Sequence, residues 1–167
     1  MRRLFAVLLL LAVACTRPPA RDPVVVEDVL QYVAKIKKWE PVEQETLKAI
    51  HDVRQNQFVD DEYVVATLGA VMDDMQLHLA EIDRYRPMTP TVTEVHDRYR
   101  HAWQDLHDAF STVIESMQRK DYLQLSKGTE ALRTSRQELL LVAAALSILM
   151  EDSGLKEPDG GQRPAQS

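Results

Sequence analysis

The chain of 167 residues contains one cysteine, Cys15. A disulfide within the chain needs two cysteines, and covalent haem attachment needs a Cys-x-x-Cys-His motif, so the sequence excludes both. An exported domain that relied on disulfides would carry an even number of cysteines. Cys15 therefore has another role, which its position near the N-terminus helps to define.

Glycine is also scarce, because only Gly69, Gly128 and Gly154 fall between residues 24 and 154. The chain lacks a glycine-rich loop of the kind that binds phosphate groups. It also lacks a serine on a glycine-rich elbow, the arrangement that exposes a hydrolase nucleophile. We therefore expect a protein that is not an enzyme.

Basic residues are in the minority. The chain has 20 Lys and Arg against 26 Asp and Glu, which gives a formal net charge of −6. Surfaces that bind nucleic acid or anionic headgroups are rich in Lys and Arg. The charge balance argues against both kinds of partner, and no nucleic acid is expected.

The N-terminus has the three parts of an export signal. Arg2 and Arg3 form its basic start, Leu4–Val13 its apolar run, and residues 12–14 the small residues that a signal peptidase needs. The apolar run is too short to span a bilayer, which takes about 20 residues. Residues 1–14 are therefore predicted to be a cleaved signal peptide.

The end of this leader, Leu11-Ala12-Val13-Ala14-Cys15, resembles the lipobox of bacterial lipoproteins. The resemblance implies that Cys15 receives a diacylglyceryl group on its sulfur and becomes the first residue after cleavage. Lipoproteins kept in the inner membrane of two-membrane bacteria commonly have aspartate at the next position, where this chain has Thr16. The implied location is the bacterial cell envelope, at the periplasmic face of the outer membrane. An ordinary secretory signal is the alternative.

Cleavage would leave 153 of the 167 residues, with 18 basic and 26 acidic side chains. That length suits a single domain. Residues 15–23 contain three prolines and are predicted to form a short stiff tether after the lipidated cysteine. Residues 24–154 are the predicted helical domain. Residues 155–167 have few apolar side chains and are predicted to be a disordered tail.

Apolar residues recur every three or four positions in the domain, a spacing that predicts amphipathic helices. The first helix is predicted from about Val24 to Gln57, with a kink or restart at Pro41. A second helix is predicted from Asp60, which can cap its first turn, to Pro87, which stops it.

The third helix is predicted to start at Thr91, because Thr91 and Glu94 have the spacing of a capping box. The fourth is predicted from about Asp121 to Ser153-Gly154. The stripes expected to face the core are Val26, Val29, Val33, Ile36, Leu47, Ile50 and Val53 in the first helix, Val64, Leu68, Val71, Met75, Leu79 and Ile82 in the second, Val95, Tyr99, Trp103, Leu106, Phe110, Val113 and Met117 in the third, and Leu125, Leu132, Leu139, Ala143, Leu146 and Met150 in the fourth.

Long amphipathic helices with short connections favour antiparallel neighbours. The expected fold is therefore all-α, an up-and-down antiparallel four-helix bundle. A three-helix array with a loosely attached first segment is the alternative. Gly128 and Ser135 lie on the fourth stripe and would let a neighbouring helix approach closely. Apolar residues surround the fourth helix from Leu139 to Met150, which is typical of a central core segment.

Three side chains around the second helical hairpin are weak candidates for a metal site. His78 is predicted to lie about opposite Tyr99, His96 about one turn away, and Asp74 one turn before His78. Imidazole and carboxylate suit transition metals. The more ordinary interpretation, which we favour, is that both histidines form hydrogen bonds at the edge of the apolar stripe. No metal or other cofactor is expected.

The remaining candidates are weaker. Met75 with a histidine of a facing helix could bind haem without a covalent bond, although methionine at helical spacing is usually core. His51, His101 and His107 are predicted to be solvated, as are the carboxylate groups at Glu43 with Glu45, residues 60–62, and Asp73 with Asp74.

Two classes of function fit the sequence. The first is a lipid-tethered adaptor or structural domain that binds an unidentified envelope protein; the second is handling of a small ligand, metal or haem in the bundle core. For the first class, Trp39 beside Pro41 is a candidate interface anchor. The interpretation that we favour for Trp39 is that it covers the kink.

Overall fold

The computed structural model describes residues 22–55 and 60–155, and these contain four α-helices and no strand. The helices are α1 (Pro23–Gln55), α2 (Asp61–Arg84), α3 (Pro90–Arg119) and α4 (Tyr122–Asp152). They form the antiparallel four-helix bundle that the sequence predicts. Cys15, the leader, the tether before residue 22 and the tail after Leu155 lie outside the described residues.

Helix α1 continues through Pro41 without a break, so of the two predicted outcomes there, a kink or a restart, the restart does not occur. Asp60 caps α2 as predicted, since its carboxylate accepts the Tyr63 N–H at 2.7 Å. The predicted capping box of α3 is wrong by two residues. Thr89 is the N-cap and Pro90 the first helical residue, a position where the missing N–H of proline costs nothing.

The predicted stripe of α3 is confirmed as the centre of the core. Tyr99, Trp103, Leu106 and Phe110 are at most 4% exposed. Helix α3 packs against all three other helices, most extensively against α4. Helix α1 packs on α2 and, more narrowly, on α3. It is not the loosely attached element of the three-helix alternative.

Helix α4 is the peripheral element, because its backbone lies close to α3 but hardly touches α1 or α2. The prediction that Leu139–Met150 forms central core is therefore wrong. Leu140, Leu141 and Ile148 are 65%, 46% and 60% exposed. A single neighbouring helix can bury only one face of α4, so an all-round apolar segment remains partly in solvent.

Close approach of α3 and α4 depends on the small residues of the α4 stripe, as predicted. Gly128 and Ser135 are both buried. A Cβ at Gly128 would lie 3.0 Å from Val113 Cγ2, tighter than ordinary contact. Glycine at this position therefore sets how closely the two helices pack. No helix among the described residues is long and apolar enough to cross a membrane.

Candidate functional site

Four rings from α1, α2 and α3 meet in the interior and form what we call the aromatic cluster: Trp39, His78, Tyr99 and Trp103. Trp39 stacks on Tyr99 with 5.8 Å between ring centroids. The His78 ring stands edge-on to Trp103 at 4.5 Å. Such offset and edge-to-face contacts are the favoured geometries of aromatic pairs. The cluster ties α1, α2 and α3 together.

A chain of hydrogen bonds runs through this cluster. Tyr99 donates its hydroxyl proton to the Glu43 carboxylate, and the His78 Nε2 lies 3.2 Å from the Tyr99 oxygen. Because the Tyr99 O–H is directed at Glu43, the neutral Nε2–H form of His78 completes the chain by donating to the Tyr99 oxygen. The predicted position of His78 opposite Tyr99 is thus confirmed.

Burial changes the acid–base properties of these groups. It lowers the pKa of His78 to about 4, with Glu81 acting weakly in the opposite direction. It also raises the pKa of Glu43, an effect that the Tyr99 hydrogen bond reduces. Burial and the neighbouring Glu43 raise the pKa of Tyr99. Near neutral pH the interior therefore holds an uncharged imidazole and an uncharged phenol.

Trp39 is 3% exposed, which rules out the candidate role of an exposed interface anchor. Besides stacking on Tyr99, its indole N–H donates to Glu81 Oε2 at 3.0 Å. The cause is the position of Trp39 on the inner face of an uninterrupted α1, which the predicted restart at Pro41 obscured. Trp39 is a core residue that links α1 to α2.

The three candidates for a metal site are not assembled into one. His96 is 4% exposed and packs against the rings of Tyr32 and Tyr85, while His78 belongs to the aromatic cluster. Asp74 is exposed on α2. Residues 22–55 and 60–155 hold no group of three or more His, Cys, Asp or Glu side chains arranged to bind a metal ion. We had expected both histidines at the edge of the apolar stripe, but they lie inside the core.

The other candidates occupy ordinary positions. Met75 is fully buried among apolar core side chains. His51 and His101 are exposed as predicted, whereas His107 is half-buried beside Asp108. Among the carboxylates, Glu45 and residues 61, 62, 73 and 74 are exposed. Glu43 is the exception, because its hydrogen bond to Tyr99 draws it inward.

Asp28 is a buried carboxylate that the sequence analysis missed. It is fully buried, and its Oδ2 accepts hydrogen bonds from the Met88 N–H at 3.0 Å and from the N–H and hydroxyl of Thr89, both at 2.7 Å. These bonds join the start of α1 to the loop between α2 and α3. Its spacing of one helical turn from Tyr32 was the available signal, since it puts Asp28 on the buried stripe.

The space between α1 and α4 is an open, largely apolar groove, which we call the seam. Its first part is a cavity of about 610 Å³, with Tyr99 and Trp103 of α3 at its floor. Apolar side chains of α1 and α4 line its walls, among them Ile36, Leu139 and Leu146. Leu139 and Leu146 belong to the predicted stripe of α4, which α1 would cover if it lay against α4.

The second part of the seam is a cavity of about 620 Å³ toward the turn between α3 and α4. Val64 and Leu68 of α2 and Val113 of α3 are among its lining residues. Arg136 and Leu140 line both cavities, so the two parts adjoin there. Over Leu125–Met150 of α4, the seam follows about 37 Å of helix.

Polar groups in the first cavity are few. Lys37 and Arg136 are exposed and form no ion pair within the part of the chain that the structure describes. The Tyr32 hydroxyl, also on this cavity, is buried and has no hydrogen-bond partner among the described residues. Glu43 supplies the one carboxylate, already bonded to Tyr99. An apolar cavity with a few polar groups is typical of small-ligand sites.

Comparison with protein-family models, with curated proteins and with solved structures finds no match for this chain. The arrangement of its own residues therefore has to carry any functional conclusion.

Proposed function

We propose that this protein is a lipid-anchored, non-enzymatic binding protein of the bacterial envelope, and that the seam between α1 and α4 is its binding site. The lipobox-like residues Leu11–Cys15 support the anchor and the envelope location. The observation that carries the binding site is the separation of α4 from α1, which leaves two adjoining apolar cavities open along one side of the bundle.

The size and lining of the seam support a ligand role. Ligand pockets commonly measure about 300–1,000 Å³, and each seam cavity falls in that range. Covering an apolar surface stabilises a complex by about 25 cal/mol per Å² removed from water. A ligand that fills the seam would cover Leu140 of α4, which is 65% exposed and lines both cavities.

The binding site is tested with Nile red, a neutral dye that fluoresces in apolar surroundings. We expect saturable binding to the native protein and its loss in Ala143→Phe, because Ala143 lines the first cavity and a phenylalanine there would occupy it. Ala144→Phe is the matched control. Ala144 is also exposed on the same helix but does not line the cavity. Equal dye binding by the two variants would contradict the proposed site.

The anchor is tested by Cys15→Ser. Loss of the sulfur removes the acylation site, so the variant should leave the membrane fraction or accumulate unprocessed. Two or more acyl chains hold a protein on a bilayer, whereas none leaves this acidic chain without an attachment. A processed Cys15→Ser protein that stays on the membrane until detergent is added would contradict the lipoprotein proposal.

Docking of an envelope protein is the second candidate function. The exposed face of α4 with Leu141, Ala144 and Ile148 favours it, because contiguous apolar surface often marks an interaction site. Crosslinking of the tagged protein in its own membrane should recover a stoichiometric partner. Ile148→Lys should abolish the recovery, and Leu77→Lys on the exposed face of α2 should not. Equal recovery with both variants would contradict this role for α4.

A further inference from the structure

We propose that the turn from α2 to α3 carries a binding site for a zwitterion that joins a phosphodiester to an ammonium group, the chemistry of a phosphoethanolamine headgroup. The site is a cavity of about 440 Å³, which we call the loop cavity, and it shares no lining residue with the seam. Its charged lining residues are Asp83, Arg86, Asp97 and Arg100. Carboxylates and guanidiniums in equal number favour a ligand that carries both charges.

These four charged groups lie close together, but they do not satisfy one another. Arg100 lies 3.7 Å from Asp83 and 4.0 Å from Asp97, distances at which neither pair forms a hydrogen bond. Arg86 donates to the backbone oxygens of Asp83 and Tyr85 and forms no ion pair within the described part of the chain. Both carboxylates and both guanidiniums therefore retain hydrogen-bonding capacity for a ligand.

His96 adds a buried polar side chain to the lining of the loop cavity. It is 4% exposed, and its Nδ1 has no hydrogen-bond partner among the described residues. Burial lowers the pKa of His96, Asp97 and Asp83 act to raise it, and Arg100 and Arg86 act to lower it further. All four charges therefore lie around one imidazole, which is uncharged near neutral pH. A buried ring nitrogen without a partner is costly, and a bound ligand would remove that cost.

Charge complementarity selects the class of ligand. An anion on the two guanidiniums would also face two carboxylates, and a cation would face two guanidiniums, whereas a zwitterion pairs with both sets. Arg86 follows α2 and Arg100 lies on α3, so the guanidiniums approach from two elements, which suits a phosphodiester with several acceptor oxygens. Asp83 and Asp97 suit the ammonium, and the Tyr85 ring, also on the cavity, attracts cations.

The position of the loop cavity favours the bilayer as the source of this headgroup, and this step rests on the proposed anchor. Asp28, in the second turn of α1, accepts the Met88 N–H, so the loop lies beside the start of α1. Helix α1 begins at Pro23, eight residues after Cys15, and a chain of that length spans at most about 29 Å. Val24 and Met88 are 54% and 52% exposed at this end of the bundle. A zwitterionic headgroup also suits a chain of net charge −6, which anionic headgroups would repel.

The test uses the mature chain with Cys15→Ser, which carries no acyl group. Calorimetry compares glycerophosphoethanolamine with glycerophosphoglycerol, which lacks the ammonium, and with β-alanine, which has a carboxylate in place of the phosphodiester. We expect the first to bind most tightly. Arg100→Gln and Asp97→Asn should each weaken its binding about tenfold, the effect of one lost charge-assisted hydrogen bond. Arg98→Gln and Asp105→Asn are the matched controls, since both side chains are exposed on α3 and lie off the cavity.

Vesicle sedimentation identifies the source of the ligand. Vesicles of phosphatidylethanolamine mixed with phosphatidylglycerol should retain the protein, and vesicles of phosphatidylglycerol alone should not. Calorimetric binding without retention would support the ligand class and assign it to a free zwitterion.

Three results would overturn the inference: no calorimetric binding, equal affinity for all three compounds, or equal weakening by Arg100→Gln and Arg98→Gln. None of these measurements involves the acyl group or the seam. A failure here would therefore leave the Nile red and anchor tests of the proposed function unaffected.

Discussion

Protonation of His78 should make the folded domain sensitive to acid. Burial lowers the pKa of this histidine from 6.5 to about 4 in the folded state. Between these two pH values the unfolded chain binds a proton that the folded chain does not, so stability is present above pH 6.5 and falls as the pH drops toward 4. One pKa unit corresponds to about 1.4 kcal/mol, so the full loss between pH 6.5 and pH 4 amounts to about 3 kcal/mol.

The structure gives the reason for this magnitude. His78 is surrounded by Trp39, Tyr99 and Trp103, and the nearest carboxylate that favours its charged form, Glu81, lies at the surface and is engaged by Trp39. A charged imidazole in this cluster would lack both water and a close counter-ion. Glu43 acts in the opposite direction, because its raised pKa favours the folded state at low pH.

The assay therefore has to isolate His78 from other groups. His78→Gln keeps a hydrogen-bond donor near Tyr99 but cannot titrate, and His101→Gln on the exposed face of α3 is the matched control. Urea unfolding followed by circular dichroism at pH 7 and pH 4.5 gives the free energy of unfolding of each protein. We expect the advantage of His78 over Gln to shrink by about 2 kcal/mol at pH 4.5. Parallel pH dependences of the native protein and His78→Gln would refute the reasoning.

Three further predictions concern stability and are checked by the same urea unfolding experiment. Asp28→Ala should cost about 3 kcal/mol, because it leaves the buried donors of the α2–α3 loop without an acceptor; a loss below 1 kcal/mol would show that water replaces the carboxylate. Trp39→Ala should cost about 3–5 kcal/mol, as expected for a buried aromatic residue. An unchanged urea midpoint would show that Trp39 is not a core residue. Gly69→Ala should stabilise α2 by up to about 1 kcal/mol, since nothing lies within 4 Å of the new methyl group. Gly128→Ala should not show this stabilisation, because its methyl group would lie too close to the Val113 side chain. Equal effects of the two variants would contradict the packing of α3 on α4.

The fold was predictable because helical periodicity is a local property. The buried stripes of α2 and α3 follow from residues spaced three and four apart, and the Asp60 cap follows from a side chain three residues from its partner. The same rule placed His78 across from Tyr99, because a short loop between antiparallel helices fixes their register.

Burial of α4 was not predictable in this way. The segment Leu139–Met150 is apolar on all sides, and this pattern does not indicate how many helices pack against α4. The seam exists because α1 packs against α2 and α3, and that choice depends on long-range contacts such as those of Trp39 and Asp28.

The bonds between Asp28 and Thr89 give the two ends of the described chain different mechanical strength. A force applied ahead of Pro23 reaches, within two helical turns, a carboxylate bonded to the loop between α2 and α3, so it is spread over three helices. A force applied beyond Leu155 acts on α4, which one neighbour holds. A tethered molecule pulled from its N-terminal side would therefore keep its architecture under load, and α4 would be the first helix to peel away when the pull comes from the other end.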